Sequence, residues 1–229
     1  MPGAAESGHS VQAPYFFLSY TRAPLVSATG RYEGEEDRDV IRFYNTLCRH
    51  IRHLTDLDKD IQPGYLDQAM PIGTRWKPAV LSALAPCQTF VPLYEPAYFK
   101  SAWCGLEWAL FRARQEQSKP SGSVAYNAIV PVLWAEERRI LPILPEAASG
   151  LQYADLAPTP RYRAEGIYGL MNGYQQDYRK TTLAIARRIV DVAASTRIAP
   201  CDPAGFDESL NAFAPQATGC GEEGPDGAG

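Results

Sequence analysis

Residues 101–108 of this chain read SAWCGLEW and follow an apolar run, TFVPLY at 89–94, that is typical of a buried strand. Ser101 is placed to cap a helix, because its hydroxyl can accept a hydrogen bond from a free amide of the first turn. Glu107 then lies in the second turn, on the same face as Trp103 four residues earlier. The stretch therefore predicts a strand, a short loop and a helix that carries a carboxylate among apolar side chains.

The apolar residues around Glu107 in the sequence restrict the possible roles of its carboxylate. An ionisable group in such surroundings is paired, lines a cleft or becomes neutral. A carboxylate beside an aromatic wall suits the stabilisation of a developing positive charge, and the nearby helix N-terminus is expected to favour its ionised form. A structural glutamate at the rim of the core explains the same spacing, so the residues by themselves leave both interpretations open.

Apolar runs and amphipathic patterns alternate on both sides of this stretch. Strands are predicted at 15–20, 63–67, 89–94 and 128–134, and helices at 37–54, at 75–85, after Ser101 and at 173–195. Alternating strands and helices imply a parallel sheet covered on both faces. With right-handed crossovers, the fold class is α/β, a flavodoxin-like open three-layer sandwich with a mostly parallel five-stranded sheet.

The region 135–172 is the least regular part of this pattern. Residues 141–145 read LPILP, which indicates a turn or short helix, and the fifth strand is expected near 150–156 or 167–170. Pro92 and Pro131 fall inside predicted strands, and because proline lacks an N–H donor we expect a distorted ladder near each of them.

Ligands of open α/β sheets bind at the carboxyl ends of the strands. Three predicted loops converge at that edge: those that follow Tyr20, Leu66 and Tyr94, the last of which leads to Glu107. This edge is the expected functional site.

Charge is distributed unevenly along the chain. Six of the 26 acidic residues and none of the 22 basic ones lie after Arg197, so residues 1–199 carry about +2. A near-neutral body lacks the basic face that nucleic acid binding needs. The predicted organisation is a disordered N-terminus at 1–13, one domain at 14–199 and an acidic, Gly/Pro-rich flexible tail at 200–229, although Phe206, Leu210 and Phe213 are candidates for docking.

The five cysteines are odd in number and widely spaced, without a C-x-x-C pair, and the three histidines do not complete a zinc pattern. Buried thiols in a reducing compartment, and no metal, are therefore expected. No secretory signal is evident, and no apolar run approaches the roughly 18 residues that span a bilayer. The expected location is cytoplasmic, away from the membrane.

Three motifs occur in register along the chain: LSYT at 18–21, D-x-x-x-P-I-G-T-x-W at 67–76 and S-x-W-C-x-x-E at 101–107. Together they resemble the TIR (Toll/interleukin-1 receptor) domain, over roughly residues 14–195. The chain is most similar to bacterial TIR-like proteins, in particular the FxsC group encoded beside FxSxx-type ribosomal peptides. The first loop, 23–36, is longer than the family pattern, and the stretch 141–145 and the acidic tail have no family counterpart.

The resemblance implies an activity and a site. In active TIR domains the glutamate of the third motif, here Glu107, is essential for cleaving the nicotinamide–ribose bond of NAD+, which is a substrate and not a prosthetic group. The segment after the first strand lines the nucleotide cleft. The loop 67–76 gates the pocket and makes subunit contacts, so a homo-oligomer and protein partners are also implied. The cleft segment corresponds to Ser19, Tyr20, Thr21 and Arg22, and Gly73 gives the loop room to bend.

Several of these residues have a second interpretation. Trp76 and Trp103 are candidates for stacking on the nicotinamide or adenine ring, and each is also suited to the core. Arg22 is a candidate partner of the pyrophosphate, since a guanidinium pairs with phosphate in bidentate fashion, or a solvated surface residue. Asp67 is a candidate ribose ligand or a cap of its own loop. Cys104 lacks a histidine to activate it, which disfavours a thiol nucleophile.

Two functions remain in competition. The first is NAD+ hydrolysis, activated by self-association in bacterial signalling or defence. The second is a non-catalytic signalling scaffold that acts through TIR–TIR contacts, with ribosomal-peptide maturation as one setting. A phospho-receiver domain is disfavoured because Ser19 and Tyr20 stand where its acidic pair belongs, and the TIR motifs count against a deoxyribosyltransferase.

Overall fold

The structure is a computed structural model. It describes residues 13–22, 36–66, 76–121, 126–151, 156 and 159–214. The described residues leave out 1–12, 23–35, 67–75, 122–125, 152–155, 157–158 and 215–229.

A parallel sheet with strand order β2-β1-β3-β4 forms the centre of the domain. Every side chain of β1 and β3 is buried, as expected of central strands covered on both faces. The fold is the predicted α/β open sandwich. The strands are β1 (Phe16–Ser19), β2 (Gly64–Leu66), β3 (Thr89–Tyr94) and β4 (Val132–Leu133).

Seven α-helices are present in the described part of the chain, and the four helices that the sequence predicted are confirmed. The predicted final helix begins later than its expected start, because a separate helix ends at Gly173 and the next begins at Gln175. The helices are α1 (Glu36–Leu54), α2 (Trp76–Leu84), α3 (Ala102–Ser118), α4 (Glu137–Ile140), α5 (Glu146–Ser149), α6 (Arg161–Gly173) and α7 (Gln175–Thr196).

The described residues form four strands, one fewer than the sequence predicted. Residues 167–170, one of the two expected positions of the fifth strand, lie in α6, and most of the other position lies outside the described residues. Helix α6 bonds the last strand instead: the Leu133 N–H donates to the Tyr162 hydroxyl at 2.8 Å, and the Tyr168 N–H donates to the Trp134 carbonyl at 3.1 Å.

The distortion expected near the two prolines occurs between β3 and β4. An isolated bridge pairs Phe90 with Ile129, and regular pairing resumes only at Leu93 and Val132. Both Pro92 and Pro131 fall in this gap, since neither has an N–H to donate. The result is a short β4.

Residues 198–214, named here the C-terminal strap, pack on the domain where the sequence predicted a loose segment from residue 200. The buried Arg114 of α3 donates to the carbonyls of Ile198 at 3.4 Å and Ala199 at 2.8 Å. Further along, the Cys201 N–H donates to the Ala85 carbonyl at 3.2 Å. These are contacts over more than 80 positions in sequence, which no local pattern reveals.

The expectation of buried thiols is confirmed for Cys48, Cys87 and Cys104, whereas Cys201 is half-buried and Cys220 lies outside the described residues. Among the described residues, no His, Cys, Asp and Glu cluster is suited to holding a metal ion. No helix in this same part of the chain is long and apolar enough to cross a membrane.

Candidate functional site

Glu107 lies where the sequence predicted it, in the second turn of α3. The Ser101 hydroxyl caps this helix by accepting a hydrogen bond from the Cys104 N–H at 3.2 Å. Ser19 ends β1, so the helix start and the strand end meet at the carboxyl edge of the sheet. The Glu107 side chain is 2% exposed and therefore belongs to the interior of this edge.

Two neutral donors hold the two oxygens of the Glu107 carboxylate. The Ser19 hydroxyl donates to Oε2 at 2.5 Å, and the Trp103 indole Nε1–H donates to Oε1 at 2.6 Å. The Tyr98 hydroxyl lies 3.0 Å from the Ser19 oxygen. Because Ser19 gives its one proton to Glu107, Tyr98 donates to Ser19, and a chain of hydrogen bonds runs from Tyr98 through Ser19 to the carboxylate.

Burial raises the pKa of Glu107 to about 7, and the hydrogen bonds from Ser19 and Trp103 and the charge of Arg22 counter only part of this effect. The helix N-terminus was expected to favour the ionised form. The net shift of the Glu107 pKa is opposite to that expectation, because desolvation of the carboxylate outweighs the groups that stabilise its charge. Near neutral pH both protonation states of Glu107 are populated.

Cys104 connects α3 to the segment that follows β1. Its thiol donates to the Tyr20 carbonyl at 3.5 Å and lies 3.9 Å from the Thr21 hydroxyl. Burial raises the pKa of Cys104 to about 12, with the Glu107 charge acting in the same direction. A thiol that stays protonated is a poor nucleophile, which disfavours Cys104 as the attacking group.

The structure brings together a subset of the predicted site residues. Ser19 and Trp103 contact Glu107 directly, and Arg22 is near enough for its charge to lower the pKa of this carboxyl. Tyr20 and Thr21 contact the same helix through Cys104. The Trp103 ring is half-buried against the core and its N–H holds Glu107, while its stacking on a nucleotide ring stays a prediction.

The predicted residues of the second motif cannot be placed. Asp67 and Gly73 lie outside the described residues, and so does the side chain of Trp76, whose backbone begins α2. Their roles stay predictions.

Two tyrosines of this site were not predicted. Tyr98, buried in a 3₁₀ turn at Tyr98–Lys100, supports Ser19. Tyr65 of β2 is close enough that the charges of Arg22 and Glu107 affect its pKa, which burial raises. Tyr65 lies near the carboxyl end of β2, and Tyr98 lies in the turn that follows β3. A tyrosine at the end of a strand at this edge was therefore the feature of the sequence that could have predicted them.

The carboxylate is closed off in this conformation. Glu107 is 2% exposed, and three of the surface cavities among the described residues are lined by other side chains. A sugar therefore reaches the carboxylate only after the groups around it have moved.

The fold and this site agree with one family of α/β domains. The family model described as TIR domain matches residues 32–170, which is more than half of the chain and includes the second and third motifs. The chain belongs to the TIR domain family. A search of curated proteins finds no match to it.

Proposed function

We propose that this TIR domain hydrolyses the nicotinamide–ribose bond of NAD+, with Glu107 as the catalytic carboxylate. The observation that carries the proposal is the position of Glu107: a buried carboxylate at the carboxyl edge of a parallel sheet, with both oxygens fixed by neutral donors. Structural carboxylates are seldom buried without a cation in contact, because burial of the charged form is costly. A catalytic task accounts for that cost.

The chemistry needs what an ionised Glu107 supplies. The bond between ribose C1′ and the nicotinamide nitrogen breaks with both electrons passing to the ring, which leaves as neutral nicotinamide. The ribose then carries positive charge shared between C1′ and the ring oxygen, and a carboxylate nearby stabilises it. A water oxygen adds to C1′ and loses its proton to solvent, giving ADP-ribose. Removal of such a preorganised group typically costs about 3–4 kcal/mol of transition-state stabilisation.

The closed state of the site bears on how the enzyme is activated. Since Glu107 is only 2% exposed, substrate entry requires a rearrangement. The family resemblance implies TIR–TIR self-association through the loop at 67–76, which is next to β2 in sequence. We propose that this association opens the pocket, in a bacterial signalling or defence setting.

Nicotinamide release tests this proposal. The purified protein is incubated with NAD+ in solution and on a surface that concentrates it, and the wild type is expected to release nicotinamide on the surface. Glu107→Gln keeps the shape of the side chain and is expected to lower the rate at least about 100-fold. Glu116→Gln, an exposed position of the same helix, is the matched control and is expected to keep the wild-type rate.

An equally active Glu107→Gln variant would refute the assignment of the carboxylate. A wild type that is silent in both conditions would support the second candidate, a scaffold that signals through TIR–TIR contacts with itself or with protein partners. The closed carboxylate is the observation that favours this candidate. A role in ribosomal-peptide maturation, as in the FxsC group, belongs with it.

A further inference from the structure

The C-terminal strap reaches the helix that carries Glu107. The Ala212 N–H donates to the Gly105 carbonyl at 3.0 Å, and the Asn211 Oδ1 accepts from the Phe213 N–H at 2.9 Å, which turns the chain at this point. The strap lies beyond residues 32–170, which the family model matches. Nothing in the family match therefore assigns it a role.

Gly105 is the residue that permits this approach. A Cβ atom at this position would lie 1.9 Å from the Asn211 Oδ1 and 3.3 Å from the Phe213 ring. The first distance is far inside van der Waals contact, so any larger side chain displaces the strap. Gly105 precedes Glu107 by only two residues, which places the contact on the turn of α3 that carries the carboxylate.

The Phe213 ring packs in an aromatic cluster beside the site. Its centroid lies 5.6 Å from that of Tyr98, 5.4 Å from that of Phe99 and 5.6 Å from that of Trp108. These separations are typical of favourable aromatic pairs. Through Phe213 the strap thus contacts Tyr98, the first group of the hydrogen-bond chain.

Contacts therefore run from the strap to the carboxylate by two routes. One passes from Phe213 to the Tyr98 ring, from the Tyr98 hydroxyl to Ser19 and from Ser19 to Oε2 of Glu107. The other passes from the Ala212 amide to the backbone of α3 at Gly105. The first route ends on the Glu107 carboxylate, and the second ends on the backbone of the helix turn that carries it.

We propose that Asn211 and Phe213 are positioning residues, which hold Tyr98 and the first turns of α3 so that the Glu107 carboxylate stays fixed and buried. The importance of this positioning for catalysis rests on the proposed function. The coupling between the strap and the carboxylate is independent of it. Release of the strap loosens Tyr98 and Ser19 and admits water to the carboxylate.

A titration of the Glu107 carboxyl carbon by ¹³C NMR, without NAD+, tests the coupling. Glu107→Gln identifies the signal. Among the described residues, the other titratable groups around it are Tyr20, Tyr65, Tyr98 and Cys104, whose pKa values burial raises, and the charge of Arg22 lowers the pKa of Glu107 itself. A transition between about pH 5 and 9 therefore reports Glu107.

Phe213→Ala and Gly105→Ala release the strap by different means, one by loss of contact and one by collision. Both are expected to lower the midpoint by about one pH unit or more towards that of a solvated glutamate, since water stabilises the charged form. Phe213→Leu retains the apolar contact and is expected to keep the wild-type midpoint. Leu210→Ala, an exposed position of the strap, is the matched control and is expected to change nothing.

A midpoint that stays at its wild-type value in both Phe213→Ala and Gly105→Ala, with melting curves that show folded protein, would overturn the proposal. Gly105→Ala guards against misfolding, because alanine favours a helix more than glycine does. The result is separable from the proposed function: a shifted midpoint together with an active Glu107→Gln variant refutes the NAD+ assignment and leaves the coupling intact.

Discussion

Glu107→Gln is expected to be more stable than the wild type at pH 8, even though it removes the proposed catalytic group. The folded-state pKa of Glu107 is about 7, against an ordinary value of 4.5. The native state therefore binds more protons than the unfolded state between these two values, and stability falls as the pH rises through that window. The stability lost is about 3 kcal/mol, and the loss is complete above pH 8.

The neutral amide of glutamine avoids this loss. It retains an oxygen for the Trp103 N–H, whereas the bond to Ser19 must rearrange at a cost of about 1 kcal/mol. We therefore expect a net gain of about 2 kcal/mol at pH 8 and a loss of the pH dependence below it. Denaturant unfolding at pH 5 and pH 8 measures both, with Glu116→Gln as the control that keeps the wild-type dependence. The opposite result is a free energy of unfolding that rises from pH 5 to pH 8 in the wild type and does not rise in Glu107→Gln. It would mean that the surroundings of the carboxyl lower its pKa, and it would contradict the prediction.

Arg114→Met is expected to destabilise the fold strongly. Arg114 is 2% exposed, and its guanidinium donates to the carbonyls of Leu84, Ile198 and Ala199, the first of them at 2.8 Å. It fastens the end of α2 and the start of the strap to α3. Methionine fills much of the same space but leaves these acceptors without their charged donor, at a cost of about 3–5 kcal/mol.

Thermal unfolding measures this effect, and a fall in Tm on the order of 10 °C is expected for a chain of this size. Arg114→Lys keeps the charge but offers a single point of donation, so an intermediate Tm is expected. Arg187→Met, at an exposed position of α7, is the matched control. A fall in stability below about 1 kcal/mol for Arg114→Met would show that backbone contacts alone hold the strap.

The parts of the fold that the sequence predicted are those with local causes. The run at 89–94 became β3 and Ser101 became the cap of α3, because burial on both faces and a free first-turn amide act within a few residues. The missing fifth strand and the docked strap have distant causes. The Tyr162 hydroxyl accepts the hydrogen bond of the Leu133 N–H, and Phe213 packs against Tyr98, which is more than a hundred positions away in sequence.

The features of the site can likewise be separated into those that the sequence predicted and those that depend on distant contacts. Glu107, Ser19 and Trp103 were predicted and lie together, since parallel strands bring their carboxyl ends to one edge. The pKa of Glu107 was not predicted, because it depends on how completely other elements bury the carboxylate. Ser19, its nearest partner, is 88 positions away in sequence.

The pH dependence of nicotinamide release tests the central claim most directly, namely that an ionised Glu107 acts on NAD+. The measurement is kcat/KM of the wild type on the concentrating surface from about pH 5.5 to 8.5, which reports the pKa of the free enzyme's essential group. The claim predicts a rate that rises with pH through a single midpoint, at about 7 if the carboxyl of Glu107 stays buried and about one pH unit lower if opening of the pocket hydrates it, and a much lower rate in Glu107→Gln that lacks this rise. A flat wild-type profile, or the same rise in Glu107→Gln, would contradict it.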